Sequence, residues 1–270
     1  MVVQHNMAAM NANRQLGIST NTLSKSTEKL SSGYRINRAA DDAAGLTISE
    51  KMREQVRGLN KASSNAQDGI SAIQTAEGAL NEAHSILQRM NELATQAAND
   101  TNTSSDRTAV QSEIDALTSE ISRISSTTQF NTQNLLDGNF TGKKLQVGAL
   151  EGQAITIDIG TMNATALGIN NLSVSSFEKA GSAMTAIQKA VSQVSTQRSK
   201  LGALQNRLEH TVNNLDNVAE NTQTAESRIR DTDMASEMVQ YSATSIIQQA
   251  GQSMLAQANS QTQGVLSLIQ

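Results

Sequence analysis

The sequence predicts a mainly α-helical fold: an elongated antiparallel helical bundle or coiled coil, with its N- and C-terminal helices paired and one small β-hairpin. The first observation is compositional: the 270 residues include no proline, no tryptophan, two tyrosines and three phenylalanines. The second is that alanine contributes 34 residues, and Ser, Thr, Asn and Gln together contribute 104. The third is that long segments repeat apolar residues with a helical period, whereas only a short stretch alternates with period two.

The composition also restricts the class of protein. Aromatic side chains supply much of the buried area of ordinary cores, so their scarcity argues against a thick core and a compact enzyme. The 21 basic and 25 acidic residues give a net charge of −4 without a basic cluster, which disfavours nucleic-acid binding. No apolar run reaches the about 18 residues of a membrane span, and the N-terminus lacks the pattern of a secretory signal peptide.

The first predicted helix occupies about residues 1–30. Its sparse apolar edge consists of Val3, Met7, Met10, Leu16, Leu23 and Leu30. Gly33 follows it, and we expect this glycine to end the helix because glycine tolerates the left-handed conformation of a helix C-cap.

The strongest signal is a periodic run of apolar residues from Met52 to Ala94, which advances 42 residues in twelve steps. The mean step of 3.5 residues is typical of coiled coils. It predicts a helix from about Asp42 to Ala98, roughly 80 Å long at 1.5 Å per residue. Turn residues follow at 99–103, and a further helix is predicted to start near Ser105 or Asp106, since either can cap it.

The middle of the chain behaves differently. Residues 155–159, Ile-Thr-Ile-Asp-Ile, alternate with period two and predict a strand. Residues 145–147 are its expected partner, so a hairpin is predicted over about 143–159.

The helical period returns at Phe177 and predicts a helix to about Arg230, with either Gln197 or Arg198 carrying its apolar edge where the edge weakens. Asp231 and Asp233 then begin a new helix, where the macrodipole favours acidic residues. The predicted apolar edge of this last helix consists of Met234, Met238, Ile246, Ala250, Met254 and Leu255.

The sequence predicts no catalytic, cofactor-binding or metal site. His5, His84 and His210 are far apart, and none has a second ligand three or four residues away. The carboxylate pairs Asp41–Asp42 and Asp231/Asp233 stand at helix starts, so we interpret them as capping residues.

The two terminal helices bury too little apolar area as a lone pair to be stable. An exposed apolar edge of that kind marks an interface. We therefore expect both ends, about 1–30 and 233–270, to be disordered in the free subunit and helical only in an assembly.

Four segments resemble known signatures. Residues 30–46, LSSGYRINRAADDAAGL, and residues 62–80, ASSNAQDGISAIQTAEGAL, resemble the N-terminal signature of bacterial flagellin. Residues 206–210, NRLEH, and residues 227–238, SRIRDTDMASEM, resemble the C-terminal signature. The matches cover nearly the whole chain in the right order. Only residues 130–174 separate the helical arms, so the chain resembles a short flagellin that lacks the variable outer domains.

The resemblance implies a structural subunit of the extracellular flagellar filament, exported unfolded by the flagellar type III apparatus and polymerised into a helical tube for motility. It implies that the terminal segments 1–42 and 231–270 form the inner filament core and that 43–230 form an outer helical bundle with the hairpin. It also implies an export chaperone for the C-terminal helices, and contacts with the filament cap and hook-junction proteins.

A further implication concerns host Toll-like receptor 5. Residues 88–94, QRMNELA, resemble the receptor-binding patch of flagellins, together with Glu113 on the following helix. The resemblance makes Gln88 part of this patch, Arg89 its cationic anchor, Leu93 its apolar contact and Glu113 its acidic contact. Asn91 departs from the basic residue often found in the family. The alternative is that these residues pack subunits together in the filament.

Other classes of protein fit less well. A hook–filament junction protein shares the flagellin ends, but residues 62–80 and 88–93 favour flagellin. A chemoreceptor-type signalling hairpin would lack the β-hairpin and would usually carry a membrane span. An enzyme is the remote third option.

Overall fold

A computed structural model describes residues 6–267, and within this range the protein is mainly helical, as the sequence predicts. The helices are α1 (Met7–Ser32), α2 (Ala43–Ala97), α3 (Ser104–Thr127), α4 (Phe177–Arg230) and α5 (Met234–Ser267). Between α3 and α4 lie the strands β1 (Gln129–Phe130), β2 (Gln133–Asn134), β3 (Lys143–Gln146) and β4 (Ala154–Ile157). They form two antiparallel pairs, β1–β2 and β3–β4. No described helix is long and apolar enough to cross a membrane.

The chain's internal contacts divide it into two units. One contains the residues up to 55 together with those from 221 onward, and the other contains residues 56–220. Both boundaries fall inside the long helices α2 and α4, so each of these helices contributes to both units. We describe the units one at a time and call them the terminal unit and the middle unit.

In the middle unit, α2 and α4 run antiparallel. The Ser63 hydroxyl donates a hydrogen bond to Asp216 at 2.9 Å. Further along, Arg198 and Glu77 form an ion pair at 3.8 Å. From Ser63 to Glu77 the residue numbers on α2 rise, whereas those of their partners on α4 fall from Asp216 to Arg198. The two helices are therefore antiparallel. From residue 73 onward, α2 presents the predicted period to the core as buried Ile73, Ala76, Leu80, Ala83, Leu87, Met90 and Ala94.

A polar residue fills the weak point in the apolar edge of α4. Gln197 is buried, with 7% of its surface exposed, between the buried Val194 and Leu201. Its side-chain amide donates to the Asp158 carbonyl oxygen at 3.0 Å. Because a buried polar group costs little when it is hydrogen-bonded, Gln197 carries this position. Arg198, the other residue considered from the sequence, instead pairs with Glu77.

The start of α3 corrects the sequence-based assignment. Thr103 caps the helix, rather than Ser105 or Asp106: its hydroxyl accepts from the Asp106 N–H at 3.3 Å, and Asp106 accepts from the Thr103 N–H at 2.9 Å. This reciprocal pair is a capping box. Hydrogen bonds from the Thr103 hydroxyl and backbone N–H lower the pKa of Asp106. Ser, Thr and Asp can all cap a helix, so residue type alone did not select the position.

The predicted hairpin is present as β3 and β4, with Leu145 opposite Ile155. Ile155 and Ile157 are buried and Thr156 between them is exposed, as period-two alternation requires. The β1–β2 pair was not predicted, because strands of two residues are too short to show a period. Its turn places Asn131 at φ 47° and Thr132 at φ 63°.

In the terminal unit, α1 and α5 form an antiparallel pair. The Asn6 side chain donates to the Ala258 carbonyl oxygen at 2.9 Å, and Lys29 pairs with Glu237 at 3.6 Å. Buried and half-buried positions recur three or four residues apart on both helices, the spacing of a coiled-coil seam. They are Ala9, Ala12, Leu16, Ser19, Leu23, Ser26 and Leu30 on α1, and Glu237, Tyr241, Thr244, Gln248, Gly251, Leu255 and Ala258 on α5.

Backbone hydrogen bonds join the segment that follows α1 to the segment that precedes α5. Gly33 ends α1 in the left-handed conformation, with φ 76°. Its carbonyl oxygen accepts from the Thr232 N–H at 2.9 Å, and the Arg35 N–H donates to the Arg230 carbonyl oxygen at 2.7 Å. The Arg230 guanidinium lies 4.8 Å from the Tyr34 ring centroid, within the range of a cation–π interaction.

We expect Thr132→Gly to raise the free energy of unfolding of the middle unit by about 0.5–1 kcal/mol. A β-branched residue in the left-handed region costs about 1–2 kcal/mol, which exceeds the about 0.5–1 kcal/mol of extra chain entropy that glycine loses. Urea denaturation followed by far-ultraviolet circular dichroism measures the difference. Gln133→Gly is the control and should be destabilising; a Thr132→Gly protein no more stable than the parent would show that this turn stores no strain.

Candidate functional site

Within residues 6–267, no three His, Asp or Glu side chains are grouped so that they could hold a metal ion. One carboxylate of each pair caps a helix: Asp42 accepts from the Gly45 N–H at 2.8 Å, and Asp233 accepts from the Ala235 N–H at 2.9 Å. The capping interpretation is wrong for the other two, because Asp41 accepts from the Arg38 N–H at 3.0 Å and Asp231 from the Ser227 hydroxyl at 2.6 Å. Hydrogen bonds from the Ser236 backbone and hydroxyl, and then from Ala235, lower the pKa of Asp233. His5 lies outside the described residues.

The predicted apolar edges of the terminal helices fall on two different faces. Leu16, Leu23, Leu30 and Leu255 are half-buried in the α1–α5 seam. Six others are exposed by 47–68%: Met7, Met10, Met234, Met238, Ile246 and Met254. Val3 lies outside the described residues. The prediction of a single apolar edge on each helix is therefore wrong, because sequence spacing does not show which apolar positions the partner helix covers.

Three more exposed apolar residues were missed: Ile18, Val239 and Ile247, at 54%, 71% and 57% exposure. Ile246 is two residues from each of the seam residues Thr244 and Gln248, which at about 100° per residue directs it away from the partner helix. Apolar side chains thus leave α5 in several directions. Exposed apolar side chains collected on one element mark an interaction surface.

The chemistry of this surface suits packing against identical copies. No charged residue follows Glu237 in the sequence, so copies of α5 beyond its first turn can approach one another without electrostatic repulsion between side chains. The exposed methionines have flexible thioether chains, which adapt to irregular neighbours. The outward side chains of α1 and α5 therefore form the candidate assembly surface.

The second candidate surface lies in the middle unit, where the structure brings Arg89 and Glu113 together. The Arg89 Nε and Nη2 atoms donate to Glu113 Oε1 at 3.1 and 3.0 Å, and Nη1 donates to Glu92 at 3.3 Å. These hydrogen bonds, those to Glu113 first, raise the pKa of Arg89. Gln88 is exposed beside them, and its side-chain amide lies 3.1 Å from the His84 Nε2 atom.

Leu93 corrects the expectation drawn from the resemblance. Its side chain is 2% exposed and belongs to the core, so it is not available as an apolar contact for a receptor. The reason is that α3 folds back along α2: Arg89, one turn before Leu93, reaches Glu113 of α3. Helix α2 is consequently buried on its α3 side as well as on its α4 side.

A shallow groove adjoins the charged pair, lined by Gln88, Asn91, Glu92, Gln188 and Val191. The Asn91 side-chain oxygen is buried here without a hydrogen-bond partner. Sequence reasoning identified Asn91 only as a departure from the family's basic residue.

Comparison with known proteins identifies the family. Residues 3–141 match the model of the bacterial flagellin N-terminal helical region, and residues 184–269 match that of the C-terminal helical region. The chain is 56% identical over 271 residues to a flagellin of Halalkalibacterium halodurans and 50% identical over 305 residues to a flagellin of Bacillus subtilis, with both partners of each alignment fully covered. The crystal structure of Bacillus cereus flagellin resembles it with a TM-score of 0.50 and 29% identity, covering 56% of this chain and 88% of that one. The protein belongs to the bacterial flagellin family.

Proposed function

We propose that this flagellin assembles through the outward apolar side chains of α1 and α5. As a member of its family, it is a structural subunit of the bacterial flagellar filament, which is extracellular. In the proposed arrangement, residues 1–42 and 231–270 form the inner core of the filament and residues 43–230 lie outside it. The observation that carries the proposal is the set of exposed Met, Ile and Val side chains on the two terminal helices.

The composition of the α1–α5 seam explains why assembly is required. Ser19, Ser26, Thr244 and Gln248 occupy seam positions that leucine fills in a stable coiled coil. Ordering the backbone costs about 1–2 kcal/mol of free energy per residue. Burial of apolar surface stabilises the folded state by only about 25 cal/mol per Å². The outward side chains become buried when neighbouring copies pack around the pair, so ordering of the ends is coupled to polymerisation.

We further propose that the chain is exported unfolded through the flagellar type III apparatus and polymerises beneath the filament cap, next to hook-junction proteins. The absence of cysteine and proline supports this route, because no disulfide and no slow prolyl isomerisation delays folding after export. An export chaperone would cover the apolar faces of α5 before secretion. The full-length flagellin relatives, at 56% and 50% identity, favour this role over that of a hook–filament junction protein, which shares the flagellin ends.

A contact with host Toll-like receptor 5 is a separate proposal. Gln88, Arg89 and Glu113 would form the contact surface, and Leu93 would support it from within the core. The side chains of Arg89 and Glu113 are 52% and 45% exposed. An ion pair in that environment contributes little stability, so Arg89 could exchange it for a receptor carboxylate at small cost.

The first prediction tests the assembly surface. Ile246→Asn should abolish or strongly reduce filament formation, because it places an amide where neighbouring copies bury an apolar side chain. Negative-stain microscopy and sedimentation of polymer measure the yield, and thermal unfolding of the monomer checks that the middle unit is intact. Gln249→Asn introduces the same residue at an exposed polar position of α5 and should assemble normally. Equal filament yields from both variants would exclude Ile246 from the interface.

The second prediction concerns order in the free subunit. Backbone amides near Met10 and Met254 should exchange with deuterium rapidly in the monomer and slowly in the filament, since their helices lack sufficient burial alone. Amides near the fully buried Ile73 should be protected in both states. Equal protection at all three places in the monomer would show that the terminal helices fold without assembly.

The third prediction tests the receptor surface with monomeric protein. Arg89→Ala should reduce signalling potency about 30-fold or more in reporter cells expressing Toll-like receptor 5, because truncating a buried charged contact costs about 2–5 kcal/mol. Arg123→Ala is the matched control, since Arg123 also forms an exposed ion pair with a glutamate, Glu120. Unchanged potency of a folded Arg89→Ala protein would remove Arg89 from the site.

A further inference from the structure

Sulfur in this protein is carried by methionine alone. The sequence contains ten methionines and no cysteine, so no thiol competes for an oxidant. Peroxides convert the methionine thioether to a sulfoxide, which is polar, and methionine sulfoxide reductases reverse the conversion. The oxidant must reach the sulfur atom, so burial decides which methionines react.

The described methionines fall into two groups by exposure. Five are exposed by 47–68%, and all five lie on α1 or α5: Met7, Met10, Met234, Met238 and Met254. We call them the terminal-helix methionines. The other four described methionines are buried or half-buried: Met52, Met90, Met162 and Met184. Met1 lies outside the described residues.

The middle unit shields sulfur atoms within its fold. Met90 is 0% exposed and belongs to the core. Met184 is half-buried, and its sulfur accepts a hydrogen bond from the Thr95 hydroxyl at 3.9 Å. The terminal-helix methionines differ, since their side chains lie outside the α1–α5 seam. They are therefore the sulfur atoms that an oxidant reaches first in a free subunit.

Four of the terminal-helix methionines also form adjacent pairs. Met7 and Met10 are three residues apart on α1, and Met234 and Met238 are four apart on α5. Side chains at these spacings are neighbours on a helix surface. Oxidation of one pair thus places two polar sulfoxides side by side on the candidate assembly surface.

We infer that the terminal-helix methionines are a reversible oxidation site that decides whether a free subunit can polymerise. The inference rests on the proposed function, in which neighbouring copies bury these side chains. The oxidant is a peroxide such as hydrogen peroxide. The methionine sulfur attacks one peroxide oxygen, and the O–O bond breaks as the S–O bond forms. The departing hydroxide takes the proton of the transferred oxygen and leaves as water. Sulfur loses two electrons and the peroxide gains them.

A sulfoxide in the assembly surface opposes polymerisation. Its oxygen accepts hydrogen bonds, and burying it without a donor costs free energy. The apolar burial of the thioether is lost as well. In the proposed filament, neighbouring copies cover the same sulfur atoms. Oxidation therefore acts on subunits before assembly and spares those already polymerised.

Treatment of free subunits and of preformed filaments with hydrogen peroxide tests the inference. Mass spectrometry of the digested protein locates each added oxygen. In free subunits, the terminal-helix methionines should be oxidised faster than Met90, and the critical concentration for polymerisation should rise about tenfold or more. The two methionine sulfoxide reductases, one for each sulfoxide epimer, should restore the original value. An unchanged critical concentration after oxidation of all five methionines would overturn the inference.

Leucine substitutions identify the residues responsible, because leucine resembles methionine in size and has no sulfur to oxidise. One variant should polymerise equally well before and after peroxide; it carries Met7→Leu, Met10→Leu, Met234→Leu, Met238→Leu and Met254→Leu. The matched control carries Met52→Leu, Met162→Leu and Met184→Leu, and peroxide should impair its polymerisation as it does that of the parent. The opposite pattern would place the sensitive residues outside α1 and α5.

A competition within the parent protein needs no substitution. Partly oxidised subunits are allowed to polymerise, and sedimentation separates the filaments from the remaining free subunits. Sulfoxides at the terminal-helix methionines should be concentrated in the free subunits. Equal sulfoxide contents in the two fractions would show that oxidation at these positions does not hinder assembly.

Preformed filaments separate this inference from the proposed function. Terminal-helix methionines that are oxidised as fast in filaments as in free subunits would sink the proposed burial of α1 and α5. Protection in filaments, together with normal polymerisation of oxidised subunits, would leave that burial standing and sink the oxidation site alone.

Discussion

The organisation of this flagellin depends on the weakness of the seam between α1 and α5. The two helices carry more apolar side chains than their shared seam covers, and polar or small residues such as Ser26, Thr244 and Gly251 occupy much of that seam. The remaining Met, Ile and Val side chains face outward. In the proposed filament, neighbouring copies cover these side chains. Folding of the terminal unit is linked to polymerisation in that proposal.

The middle unit has the opposite character. Its core extends over α2, α3, α4 and the strands, and includes fully buried residues such as Ile73, Ile114 and Ile187. Where a polar residue enters the core, as at Gln197, a hydrogen bond satisfies it. This unit contains its own stabilising contacts, and its described surface exposes few large apolar side chains. In the proposed assembly, this unit folds before polymerisation, whereas the two ends become ordered in the polymer.

Burial also separates the roles of residues that are neighbours in sequence. Arg89 and Leu93 are one turn apart on α2, yet the first is exposed beside Glu113 and the second is enclosed by the core. Only the first can touch another molecule. Resemblance to a family assigns residues to a surface, but the packing of α3 against α2 decides which of them a partner can reach.

Interactions between neighbours along the chain are enough to predict the long helices with their 3.5-residue period, the break before α3, the β3–β4 hairpin and the resemblance to flagellin. Which residues face a partner element follows only from the folded structure. Periodicity places Met10 and Leu16 on one helix, but α5 covers the second and leaves the first exposed. The same holds for Leu93 and Gln197. A reciprocal pair of hydrogen bonds makes Thr103, and neither Ser105 nor Asp106, the N-cap of α3. The spacing of apolar residues in the sequence reflects the pitch of their own helix. The burial of each residue depends on which distant segment of the chain packs against it.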